Sequence, residues 1–124
     1  MGLKSNQVIL IGKVGSYKEM KYFEESGGCV CTINVGHKRG EKWHNFFVKF
    51  YNKIAEEVGE YIREGTNIQI IGRLVENVFV PKGMEGQLDE KGEQKTVSQP
   101  LLVGHAVKKV QWNVEDEEWE EIGG

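Results

Sequence analysis

The sequence predicts an all-β fold, a five-stranded barrel with one helix between strands 3 and 4. Three observations carry this. Three segments alternate apolar and polar residues, one stretch then repeats its apolar residues every three or four positions, and two more alternating segments follow. Glycines fall inside the first and fourth of the alternating segments, at Gly12 and Gly72, where a small closed sheet has to bend. A chain of 124 residues, 39% of them hydrophobic, suits one domain with one core of ordinary size.

The elements follow in order. Gln7–Val14 centres on Val8, Ile9, Leu10 and Ile11 and reads as a strand, with Gly12 marking a bulge or sharp bend. Tyr17, Met20, Tyr22 and Phe23 continue it in extended form up to a turn at Glu24–Gly28. In Cys29–Val35, Cys29, Cys31, Ile33 and Val35 face one way and Val30, Thr32 and Asn34 the other. After a polar turn at Lys38–Lys42, Trp43–Tyr51 is a third strand dense in aromatics. Asn52 reads as the N-cap of the helix, Ile54, Ala55, Val58, Tyr61 and Ile62 as its buried stripe, and Gly65 as its exit. Thr66–Val80 is a long fourth strand, Pro81–Gln99 a polar, Gly-rich hairpin loop, and Leu101–Trp112 the last strand. Asn113–Gly124 has no core-forming pattern and is expected to be disordered. This is the layout of the OB-fold barrel. The expected domains are residues 1–112 as the barrel and 113–124 as an acidic tail.

Charge divides along the same boundary. Glu115–Glu121 places six acids in seven positions. The whole chain has 16 Lys+Arg and 19 Asp+Glu; without those six acids, 16 basic residues face 13 acidic ones, a net of about +3. A basic body with a separate acidic tip suits a protein that handles a polyanion and presents a hook to a basic partner. The longest apolar runs are four residues, as in Val8–Ile11, so no membrane association is expected. Cys29 and Cys31, two apart on a strand, are too distant for an unstrained disulfide and read as small buried residues. Reduced thiols, and a start that lacks the apolar segment of a secretory signal, point to the cytoplasm.

Catalysis is not expected. Phosphate-binding glycine loops and a Gly-x-Ser-x-Gly turn are absent, and His37, His44 and His105 lack metal-ligand spacing, so neither metal nor cofactor is predicted. Aromatic and basic residues interleaved on strands are what remains. Trp43, Phe47 and Tyr51 share one parity of the third strand and Phe46, Val48 and Phe50 the other, so one set faces the core and the other solvent or a partner. Phe79 ends the fourth strand. Lys13, Lys18, Lys21, Lys38, Arg39, Lys42, Lys49 and Arg73, with Lys82 in the loop, supply positive charge near these rings. Exposed rings stack on unpaired bases and cations hold phosphates, which together make a surface for single strands with little regard to sequence.

Several fragments resemble the bacterial and phage single-stranded DNA-binding proteins. Asn6–Val14 is similar to that family's opening Asn-x-Val-x-Leu-x-Gly-x-Leu strand, and Lys21-Tyr22 followed by Gly27-Gly28 to its second block. Trp43-His44 opens the third strand as in several members. Asn52–Glu56, Glu60–Thr66 and Gly72-Arg73-Leu74 resemble the helix, its exit and the fourth strand. The likeness covers about residues 6–80 and, more loosely, 101–112. It implies an OB-fold that coats and protects single-stranded DNA in replication, recombination and repair, as a homo-oligomer (usually a tetramer, with a dimer open). It also implies base stacking by Trp43, Tyr51 and Phe79, and leaves a stacking position near Lys38–Glu41 without an aromatic. The family's tip recruits replication and repair proteins; here Glu115, Asp116, Glu117, Glu118, Trp119, Glu120, Glu121 and Ile122 take that place. The tip ends Glu-Glu-Ile-Gly-Gly instead of in proline and phenylalanine, and the long linker before it is nearly absent.

The alternative is an OB-fold protein–protein subunit of a replication or recombination complex, whose rings would be an interface. An RNA-binding domain would need a feature that reads the 2′-hydroxyl, and the sequence offers none.

Overall fold

The computed structural model describes residues 5–122; residues 1–4, and residues 123–124 of the expected acidic tail, lie outside the described residues. The elements are β1 (Val8–Tyr22), β2 (Cys29–Arg39), β3 (Lys42–Tyr51), α1 (Asn52–Tyr61), β4 (Asn67–Phe79), β5 (Val97–Asn113) and β6 (Glu118–Glu121). The sheet order is β3-β2-β1-β4-β5-β6, and a further β3–β5 pairing closes the first five strands into a barrel. The closure is parallel and short, Val48 opposite Leu102 and Lys49 opposite Val103. This is the predicted OB-fold: five barrel strands, with the helix between the third and fourth.

β1 serves two neighbours. Its first half pairs with β4 from Val8–Gly72 to Lys13–Asn67, and its second half with β2 from Lys13–Gly36 to Tyr22–Cys29. The bend lies between Val14 and Lys18, where the register shifts, rather than at Gly12. There the Asn34 side chain takes the place of a ladder partner, its Oδ1 accepting from the Tyr17 N–H at 2.9 Å. Gly12 answers to a different need: a Cβ there would lie 2.5 Å from the Gly36 carbonyl oxygen of β2.

Alternation decides the core. Cys29, Cys31, Ile33 and Val35 of β2, Val48 and Phe50 of β3, and Ile68 and Ile70 of β4 all point inward and are buried. Ala55, Val58 and Ile62 bring the helix onto the same cluster. Both cysteines are free, and burial pushes the Cys31 thiol above its ordinary range.

Asn52 does not cap the helix with its side chain. It is the first helical residue, held at φ 57°, and Tyr51 occupies the N-cap position without a side-chain bond. The Asn52 Oδ1 instead accepts from the Cys29 N–H at 3.4 Å, tying the helix start to the start of β2. At the other end the Lys18 ammonium donates to the carbonyl of Gly59 at 3.2 Å and to those of Val58 and Ile62. A cation there complements the negative end of the helix dipole.

The tail differs from the expectation of disorder. Glu118–Glu121 forms β6, antiparallel to the end of β5, from Asn113–Glu118 to Val110–Glu121. Asn113 organises the turn. Its Oδ1 accepts from the N–H groups of Glu115 (3.0 Å) and Asp116 (3.1 Å), and its Nδ2 donates to Asp116 and Glu120, each at 3.1 Å. Trp112 and Trp119 then sit directly opposite each other, ring centroids 5.4 Å apart and nearly perpendicular. A bulk count of acids misses this, because the acids alternate with a ring that has a partner across the turn.

Candidate nucleic-acid interface

The β3 alternation separates the aromatics as its parity predicts. Trp43, Phe47 and Tyr51 face out, exposed by 52%, 56% and 41%, whereas Val48 and Phe50 are at 0%. Phe46 belongs to the inward parity yet is exposed, because β5 reaches β3 only at Val48 and Lys49 and leaves that side of Phe46 uncovered. Facing the outward rings on β2 are Val30, Thr32, Asn34, Gly36 and Lys38, paired with Tyr51, Lys49, Phe47, Asn45 and Trp43 in turn. The outward residues of β1 extend this face, with Lys13 opposite Gly36 and Lys21 opposite Val30.

The β2–β3 hairpin sets the position of Trp43. Arg39 pairs with Lys42 across a two-residue turn of Gly40 and Glu41, with Gly40 at φ 63° as the first turn residue requires. Trp43, just past the turn, lies diagonally over Gly36, where a Cβ would meet the indole at 3.1 Å. The indole therefore rests on bare backbone and walls an open groove of about 320 Å³ lined also by Lys13, Gly15, Asn45, Glu64 and Gly65. Lys38–Glu41 itself carries no ring; Trp43 stands across the hairpin from Lys38.

Phe47 is braced from the side by Tyr17, edge to face with centroids 5.5 Å apart. Sequence reasoning passed over Tyr17; it shares the outward parity of Lys13, and the register shift in β1 sets it beside Asn34, the cross-strand partner of Phe47. Among the described residues the ion pairs are Lys21–Glu19 (3.4 Å) and Lys108–Glu121 (3.5 Å). Lys13, Lys38, Arg39 and Arg73 are exposed and Lys49 half-buried, none of them in such a pair. Lys18, turned to the helix carbonyls, is not available to this face.

The structure gathers Trp43, Phe47, Tyr51, Lys13, Lys38 and Lys49 on one sheet face, with Arg39 at the hairpin tip and Lys21 at the far edge. Phe79, Arg73 and Lys82 belong elsewhere. Beyond the register shift at Ile71/Gly72, β4 and β5 continue as a ribbon from Arg73–Val103 to Phe79–Val97, with Lys82 in the loop that follows. That loop is ordered by Gln94, whose Nε2 donates to the carbonyls of Met84, Gln87 and Lys95, and by a Leu88–Gln94 bridge.

Trp119, read as part of a tail hook, is instead beside the face. It lines a cleft with Lys13, Gly36, His37, Lys38 and Trp43. The signal was in the sequence: Trp112 and Trp119 flank Asn113 and Glu118 at the spacing of a cross-strand pair.

Fold and face together define an OB-fold barrel whose outer sheet carries rings and cations, the class of surface that takes unpaired nucleotides. The sequence pattern of the Single-strand binding protein family matches residues 5–99, and the chain belongs to that family. Solved structures agree on the fold. A Plasmodium falciparum single-stranded DNA-binding protein, in complex with single-stranded DNA, superposes with a TM-score of 0.67 at 17% identity over 90% of this chain and 100% of that one. The single-stranded DNA-binding domain of a Synechococcus protein gives 0.60 at 17% identity, over 86% and 98%. A mitochondrial single-stranded DNA-binding protein of S. cerevisiae gives 0.62 at 13%, over 86% and 96%. Family membership supports binding of single-stranded DNA by this chain.

Proposed function

We propose that this protein coats single-stranded DNA through the outward face of β1, β2 and β3, without regard to sequence and without catalysis, during replication, recombination and repair. One observation carries the reading: on a single strand, Trp43, Phe47 and Tyr51 stand out in solvent with Lys49 on the same side, while Val48 and Phe50 fill the core. Burying a Phe or Trp would gain several times RT, so three rings left exposed on one face are better explained by a partner with flat faces of its own. Lys13, Lys38 and Lys49 lie among them to meet the phosphates, and Phe79, Arg73 and Lys82 extend the track along the β4–β5 ribbon.

Ile9 is exposed and pairs with Ile71 across the β1–β4 ladder, with Ile11 on the same side. An apolar strip of this kind supports self-association into a homo-oligomer. In β6, Glu118 and Glu120 point opposite to Trp119, and Glu115, Asp116 and Glu117 occupy the turn. Carboxylates on that side, away from Trp119, and in the turn would receive a basic replication or recombination protein.

Titration with oligo(dT) of increasing length, read by tryptophan emission beside solution mass, tests the proposal. Emission is expected to quench on binding and to recover as salt rises. Equal competition by duplex DNA, or an absence of binding at moderate salt, would replace this reading with the protein–protein one.

A further inference from the structure

The geometry points to Trp119 as an additional base-stacking residue, which extends the single-strand track from Trp43 onto the β5–β6 hairpin. The inference rests on the sheet face proposed above and adds a residue from outside the matched part of the chain, residues 5–99.

Strand alternation places it there. Lys108 pairs with Gln69 on β4, and Asn67 and Gln69 lie on the same outward side of β4 as Lys13 and Ile11, their β1 partners. Two steps along β5, Val110 and then Trp112 keep to that side, and Trp119 is paired with Trp112. The hairpin is therefore a continuation of the outer sheet face. Glu118 and Glu120 fall on its reverse, where Glu120 is bonded to Gln111 at 2.8 Å and to Asn113 at 3.1 Å. Glu121 shares the side of Trp119 but is paired with Lys108. The acidity of the segment is thus turned away from the track or neutralised beside it, and does not oppose a phosphate at Trp119.

A cleft of about 130 Å³ lies between Trp119 and Trp43, with Lys13 and Lys38 among the residues of its walls. Trp43 also walls the larger groove on its other side, so the two spaces share that indole. Trp119 is held by its edge-to-face contact with Trp112, which occupies at most one face of each ring, and it remains 40% exposed. A braced ring with a free face, beside two cations and one step from another such ring, has what stacking on a single-strand base demands.

Two measurements on the full chain test this with oligo(dT). In the double variant Trp43→Phe, Trp112→Phe, Trp119 is the sole tryptophan, and its emission should quench on saturation and recover with salt. In the second, Trp119→Leu keeps an apolar partner for Trp112 and should bind oligo(dT) about ten-fold more weakly, while Trp119→Phe restores most of the affinity. Unchanged affinity in Trp119→Leu, or sole-Trp119 emission indifferent to saturating oligo(dT), overturns the inference. So does a change in solution mass with no change in affinity, which would make Trp119 a self-association residue. Trp43→Leu separates this from failure of the underlying reading: if that variant also binds as the parent does, the whole face is misassigned; if it is weakened and Trp119→Leu is not, only the extension fails.

Discussion

The two sides of β3 differ by one residue of register and by everything else. Val48 and Phe50 are sealed, the Phe50 ring lying so close to Gly104 that a Cβ there would collide with it. Trp43, Phe47 and Tyr51, on alternate positions of the same ten residues, are open. A single strand therefore carries the fold on one side and the candidate interface on the other. The chemistry of the rings is the same; the covering of β3 by helix and opposite wall on one side only is what differs.

Substitutions on the two sides should separate stability from binding. Phe50→Ala leaves a cavity at the centre of the barrel and should cost about 3–5 kcal/mol of stability, read by denaturant or thermal unfolding. Phe47→Ala should leave unfolding nearly unchanged yet weaken oligo(dT) binding by about 1–3 kcal/mol, roughly ten-fold or more. If both variants lose stability alike, the outward rings are part of the core and the contrast is void. Smaller is the effect of a single cation. Lys38→Ala or Lys13→Ala should lower the slope of log affinity against log salt by about 0.7, whereas Lys18→Ala should leave that slope alone and destabilise the helix end. A slope that responds to Lys18 as it does to Lys38 would place the phosphates elsewhere.

The smallest effect belongs to the acidic hairpin. Hydrogen bonds from Gln111, and then from Asn113, hold the Glu120 carboxyl below its ordinary range. A carboxyl lowered on folding contributes stability that is complete above the unfolded value, about 4.3, and fades as pH falls through the lowered one. The Trp112–Trp119 near-UV signal should therefore weaken in acid below about pH 4, and Glu120→Gln should flatten that dependence. A signal that persists unchanged in acid would show that the paired rings hold the hairpin without Glu120.

The barrel was legible because its cues are local and repeated. Inward Cys29, Cys31, Ile33 and Val35 alternate without a break, and of the helix stripe Ile54, Ala55, Val58, Tyr61 and Ile62 the structure buries Ala55, Val58 and Ile62 but leaves Tyr61, at the stripe's edge, exposed. Asn52 was misread because its type fits an N-cap, while the choice of partner, the Cys29 N–H, depends on where β2 begins in space. Lys18 and Lys21, three positions apart on one unbroken ladder, take opposite faces by alternation, and only the fold brings the helix carbonyls within reach of Lys18. The hairpin at Asn113 was hidden by charge density, which describes solvation and not the pairing of Trp112 with Trp119.

Strand period, helix period and turn chemistry thus determined the order of elements, the barrel class and the outward parity of Trp43, Phe47 and Tyr51, since each depends on neighbours within a few residues. Tertiary structure decided which of those rings share a surface with which cations, that Phe79 stands on a separate ribbon, and that Trp119 reaches the same cleft as Trp43. Those are distances between residues up to 76 positions apart. Only closure of the sheet sets them, because register between distant strands is fixed by packing and not by composition.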